Sequence, residues 1–152
     1  MKRVKLMAIV SAAALVTAIW MPPSALGQTA ISPRFSPNPL ELRGTGGGNV
    51  SLQDIVGQAD TATGPCTGYA NAKPDHTLVV NAFFNSLSLR VQSSEDTSLA
   101  IKGPGGIWCN DDEQGKNPGI SGQWLPGTYS IWIGSYNKNG SPKYTLRIQE
   151  NR

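Results

Sequence analysis

The sequence predicts an antiparallel β-sandwich or jelly roll of about seven to eight strands. Three observations lead there. Apolar residues recur at every second position in several short runs, clusters of Gly, Pro and Asn punctuate those runs, and no stretch sustains the spacing of an amphipathic helix. A two-layer fold of this kind buries one face of each sheet against the other, which is what the alternation requires.

Residues 1–27 read as a signal peptide. Lys2, Arg3 and Lys5 form a basic start, Leu6 to Trp20 is an apolar run broken by Ser11 and Thr17, and Ala25-Leu26-Gly27 offers small residues at a peptidase site. That apolar run is shorter than the roughly twenty residues needed to cross a hydrocarbon core. Cleavage after Gly27 is therefore expected, leaving no membrane span and a secreted or periplasmic location. It removes three of the thirteen Lys and Arg and none of the ten Asp and Glu, so ten positive charges face ten negative ones in the remaining 125 residues. That balance offers no basic patch for a nucleic acid. Cys66 and Cys109 then stand in an oxidising compartment, where the expectation is a disulfide between them.

Residues 28–48 read as a Pro/Gly-rich N-terminal arm, with Pro33, Pro37 and Pro39 followed by Gly44-Thr45-Gly46-Gly47-Gly48. Residues 49–152 form the sandwich domain, with Asn49–Ile55 as its first strand candidate. His76–Phe83 is more continuously apolar, as a central strand would be. Leu87, Leu89 and Val91 alternate with Ser88, Arg90 and Gln92, and Leu99 and Ile101 alternate with Ala100 and Lys102. Ile107–Cys109, Thr128–Ser135 and Tyr144–Ile148 complete the set. Asn85-Ser86, Gly103-Pro104-Gly105-Gly106, Asn117-Pro118-Gly119 and Asn137-Lys138-Asn139-Gly140 supply the turns between them.

The order of pieces from Asp96 onward resembles the bacterial pre-peptidase C-terminal domain, a β-sandwich accessory module of secreted enzymes. The pieces are a strand opening with Asp96-Thr97, a Gly103-Pro104-Gly105 turn, Asn110-Asp111-Asp112, and Pro126-Gly127-Thr128-Tyr129 leading into a strand that closes on Gly134-Ser135-Tyr136. The resemblance extends over about Asn49 to Glu150. It implies a non-catalytic binding or accessory role, and some relatives in that family bind calcium.

Few residues offer chemistry. Asn110, Asp111 and Asp112, with Glu113, gather oxygen ligands of the hard kind calcium takes, so they are candidate metal ligands; the same residues can instead close the turn by accepting backbone N–H groups. Adjacent carboxylates on an extended chain point apart, which disfavours an acid–base pair. His76 is the single histidine, with neither a Gly-x-Ser-x-Gly elbow nor a His-Glu-x-x-His motif to build on, and reads as exposed or turn-bonded. Alternation from Tyr129 places Ile131 and Ile133 on one face and Trp132 and Tyr136 on the other. Trp132 and Tyr136 are thus candidate outward rings for a sugar or a protein. Trp108 and Trp124 read as core or disulfide-packing residues. The function expected is a secreted, non-catalytic module binding polysaccharide or protein at the cell envelope. A small hydrolase, or a structural partner of another exported protein, are the alternatives.

Overall fold

The computed structural model describes residues 28–152, and the leader expected over 1–27 lies outside them. The chain begins with strand β1 (Gln28–Ile31), β2 (Leu40–Thr45) and the short β3 (Val50–Ser51), which runs into helix α1 (Leu52–Val56). A two-stranded hairpin, β4 (Asp60–Thr61) and β5 (Gly64–Pro65), precedes β6 (Tyr69–Ala70). The long strands follow: β7 (His76–Val80), β8 (Phe84–Gln92), β9 (Thr97–Gly103), β10 (Gly106–Asn110), β11 (Gly119–Trp124), β12 (Gly127–Ser135) and β13 (Lys143–Glu150).

Strand β12 organises the first sheet. β7 and then β1 lie on one side of it, β9 and then β10 on the other, and its last residue pairs with β6, which carries β3. The second sheet runs β11-β8-β13-β2. Pairing is antiparallel throughout except between β1 and β7, which run parallel. The inward residues of the two sheets make one core, in which Leu87, Leu89, Val91, Leu146 and Ile148 meet Leu78, Leu99, Ile101, Ile131 and Ile133. Each such aliphatic side chain, once buried, is worth about 1.5–3 kcal/mol. The antiparallel β-sandwich is therefore built on the alternation that the sequence displays.

Three expectations change. The segment 28–48 is not an arm outside the sandwich, because it supplies an edge strand to each sheet: β1 pairs with β7, and β2 pairs with β13. The prolines fall between those two strands, where no ladder donor is needed. The run Asn49–Ile55 is strand for two residues only and then turns helical. Leu52 and Val56, four apart, both face the protein, and Gly57 ends the turn in a left-handed conformation at φ 82°.

The third change concerns Trp132. Alternation does place it opposite Ile131 and Ile133, but that face is covered, and Trp132 is 6% exposed. The covering layer is residues 52–72, whose Leu52, Val56, Cys66 and Ala70 pack with Ala100, Cys109 and Trp132. Trp132, Ala100 and Cys109 form one cross-strand row over β12, β9 and β10, since Trp132 pairs with Ala100 and Ala100 with Cys109. Ala100 leaves room for the indole beside it, and Trp132 Nε1 donates to the Ala72 carbonyl at 3.2 Å. At the other end of the row the Cys66–Cys109 disulfide ties the layer to β10.

Candidate binding cleft

The row behind that one, on the inner face, is Ile131, Ile101 and Trp108. Trp108 and Cys109 are neighbours in sequence and therefore face opposite ways, so Trp108 does not pack on the disulfide. It stands at the rim of the first sheet, facing the edge strand β11 of the second. Along β11, Ile120 and Gly122 pair with the inward Leu89 and Leu87, and after an irregularity in the ladder Trp124 pairs with the buried Phe84. Gly122 has no positive φ to explain it, and a Cβ built there would meet nothing within 4 Å. A glycine inside a strand weakens it, and often marks a place where something else approaches. Here the missing side chain opens the space between the sheets.

The result is a cleft of about 380 Å³ at the open side of the sandwich. Its floor is aromatic: Trp108 stacks on Trp124 at 6.2 Å between ring centroids, and Trp124 meets Tyr129 at 4.8 Å. The buried rings have their polar atoms satisfied, Trp124 Nε1 donating to the Leu87 carbonyl at 3.1 Å and the Tyr129 hydroxyl to the Leu125 carbonyl at 2.9 Å. Burial also pushes the Tyr129 hydroxyl above the usual tyrosine range. Trp108, half-buried, has an indole N–H with no partner among the described residues. Phe83 and Leu125 form the lips, 46% and 49% exposed, and Thr63, Ser121 and Gln123 give the rim hydroxyl and amide groups. Among the described residues no Asp, Glu, Lys, Arg or His lines the space. The lining is therefore apolar and aromatic, with hydroxyl and amide groups at its rim.

The residues singled out from sequence are placed as follows. Cys66 and Cys109 are bonded. Asn110 is committed on both sides, its Nδ2 donating to the Thr63 carbonyl at 2.9 Å and its Oδ1 accepting from Gly119 N–H at 3.1 Å. Asp111 accepts from the Thr67 hydroxyl at 3.0 Å, and Glu113 holds Arg90 in a two-bonded ion pair. These bonds spread the loop's oxygens among separate partners. Among the described residues no three His, Cys, Asp or Glu side chains gather as a metal site. Trp132 is buried away from the cleft. Tyr136, 62% exposed, follows the end of β12 and does not line the cleft either. Trp124 is in the core, one of the two readings that the sequence offers for it and Trp108, core or disulfide-packing; the cleft beside it is missed because β11 is not recognised, and Gly122 between Ile120 and Trp124 is the available signal.

His76 is neither exposed nor turn-bonded. It lies half-buried between the sheets with Nε2 2.7 Å from the Tyr144 hydroxyl. Beside it, Asp75 accepts the Ile133 N–H at 2.8 Å. Burial pushes the Asp75 carboxyl up to about 6, against the smaller opposing effect of that hydrogen bond, and burial pulls His76 below its ordinary value. Tyr144 is raised by burial and by the Asp75 charge. The folded state thus holds the Asp75 proton more tightly than the unfolded chain does. Its contribution to stability is complete below about pH 4 and is lost as pH rises through about 6. Asp75→Asn keeps an acceptor for Ile133 and cannot ionise, so its melting temperature should gain on the wild type by a few degrees between about pH 5 and pH 8. Parallel melting curves across that range would mean that the carboxylate is well solvated.

No protein-family model matches the chain. An uncharacterized protein of Synechococcus elongatus is 27% identical over 85 residues, which is 53% of this chain and 63% of that protein, so the match spans less than two thirds of the relative. Among solved structures, the chain is similar to the pre-peptidase C-terminal domain of collagenase from Bacillus anthracis, with a TM-score of 0.43 and 12% identity over 80% of this chain and 94% of that one. It is also similar to PliG of Aeromonas hydrophila, a periplasmic lysozyme inhibitor of g-type lysozyme, with a TM-score of 0.42 and 12% identity over 81% and 96% of the two chains. The first belongs to the family that the motif order from Asp96 resembles. Among the described residues no helix is long and apolar enough to cross a membrane.

Proposed function

We propose that this chain is an exported, non-catalytic binding module, secreted or periplasmic, whose ligand is an uncharged segment of a polysaccharide or protein seated in the aromatic cleft between β10 and β11. The observation that carries the reading is Gly122: it lies beside the β11 irregularity without a positive φ, and its missing side chain leaves the cleft open next to Trp108 and Trp124. Export is supported by the leader composition and by the Cys66–Cys109 bridge. A binding rather than catalytic role is supported by the uncharged lining.

Gly122→Phe tests it. The new ring fills space without straining the backbone, so the melting temperature should stay level or rise. Binding to a panel of immobilised envelope glycans and unfolded-protein segments should fall at least about tenfold, the scale on which a lost aromatic hot spot is felt. Ligand affinity unchanged in Gly122→Phe would place binding elsewhere on the molecule.

A further inference from the structure

The cleft is bordered by a free sheet edge, and the phase of that edge can be read from the hydrogen bonds. Val91 N–H donates to the Pro118 carbonyl at 3.0 Å, so in the β8–β11 ladder residues 118, 120 and 122 turn their backbone groups toward β8. Residues 119 and 121 turn theirs away. Gly119 bears this out, because its N–H points outward and is taken by Asn110 Oδ1. Ser121 is the next outward position. It is exposed, and neither its N–H nor its carbonyl has a partner on that side among the described residues.

From this we infer that β11 accepts an added strand: an extended segment of a partner protein pairs with Ser121 and lays a large uncharged side chain into the cleft over Gly122. The inference rests on the cleft being the ligand site, and it names the ligand class. Three features select a peptide over a sugar. The edge presents a donor and an acceptor from one residue, which is how one strand addresses another. A strand added beside β11 lies about 4.8 Å away in the plane of its sheet, so its alternate side chains point at Trp108 and the Phe83 and Leu125 lips. Among the described residues the cleft has no ionisable side chain other than the Tyr129 phenol, which matches an uncharged apolar residue.

The test uses the exported protein and capped hexapeptides alternating threonine with leucine, with phenylalanine or with glycine, alongside hexamers of glucose and of N-acetylglucosamine. Titration calorimetry should show binding of the leucine or phenylalanine peptides, and none of the glycine peptide or the sugars. Ser121→Pro removes the outward N–H without taking a bond from β8, and should weaken the peptide about tenfold, the worth of one hydrogen bond. Ser121→Ala, which keeps the N–H, should bind within about twofold of wild type. In the wild-type protein, amide exchange at Ser121 should slow by at least about tenfold when the peptide is bound. Sugar binding that is lost in Gly122→Phe, without peptide binding, would overturn the added strand and leave the cleft as the site. Equal peptide affinity in Ser121→Pro and Ser121→Ala would also overturn it, as would a concentration-dependent dimer that excludes the peptide, since the edge would then belong to a second copy. Loss of neither ligand in Gly122→Phe would overturn the cleft itself.

Discussion

Trp132→Ala should lower the unfolding free energy by about 3–5 kcal/mol, the cost of removing a fully packed aromatic ring. The ring is roofed by Leu52, Val56 and Ala70 and loses its bond to the Ala72 carbonyl when truncated. A urea denaturation curve measures the loss. A change under about 1 kcal/mol would show that the layer sits loosely and that the indole is effectively solvated.

Removing the disulfide should have a comparable effect. Cys66 and Cys109 are 43 positions apart, and opening a loop of that size releases about 4 kcal/mol of unfolded-chain entropy on the loop-closure model. The Cys66→Ser/Cys109→Ser double variant should therefore melt many degrees lower. The wild type under reductant should melt with it, which separates the cross-link from any packing effect of the serines. Proteolysis should then cut first within residues 57–65, because that stretch has fewer buried apolar side chains than the strands beneath it. If reduced and oxidised protein melted together, the layer would be held by packing alone.

Most of the sheet was legible because alternation is a local signal. β8, β12 and β13 follow from Leu87-x-Leu-x-Val, Tyr129-x-Ile-x-Ile and Tyr144-x-Leu-x-Ile with no knowledge of what lies opposite. Alternation assigns a residue to a face but does not say whether the face is covered. That is why Trp132 reads as outward when the structure has it under a roof; Trp108, which reads as core or disulfide-packing from its place beside Cys109, packs against the core at the edge of the cleft. The roof itself was illegible: a five-residue helix and three two-residue strands carry too few residues to show a period. β11 escaped for a related reason, because Gly119, Ser121, Gly122 and Gln123 dilute its two apolar anchors. The candidate site lies where the pattern is weakest.

The two edges flanking the cleft are finished differently. On β10, Cys109 N–H is taken by the Thr61 hydroxyl at 3.0 Å and its carbonyl by the Thr63 hydroxyl at 2.8 Å, so the hairpin β4–β5 occupies the positions a neighbouring strand would use. One side of the opening is stoppered and the other is not. A contact made on β11 therefore has no matching edge on β10 to hand on to, and copies cannot stack β11 to β10 through this opening into a growing filament. The molecule can carry an unpaired strand while denying this route to polymerisation, and two threonine hydroxyls on a short hairpin are what close the β10 side.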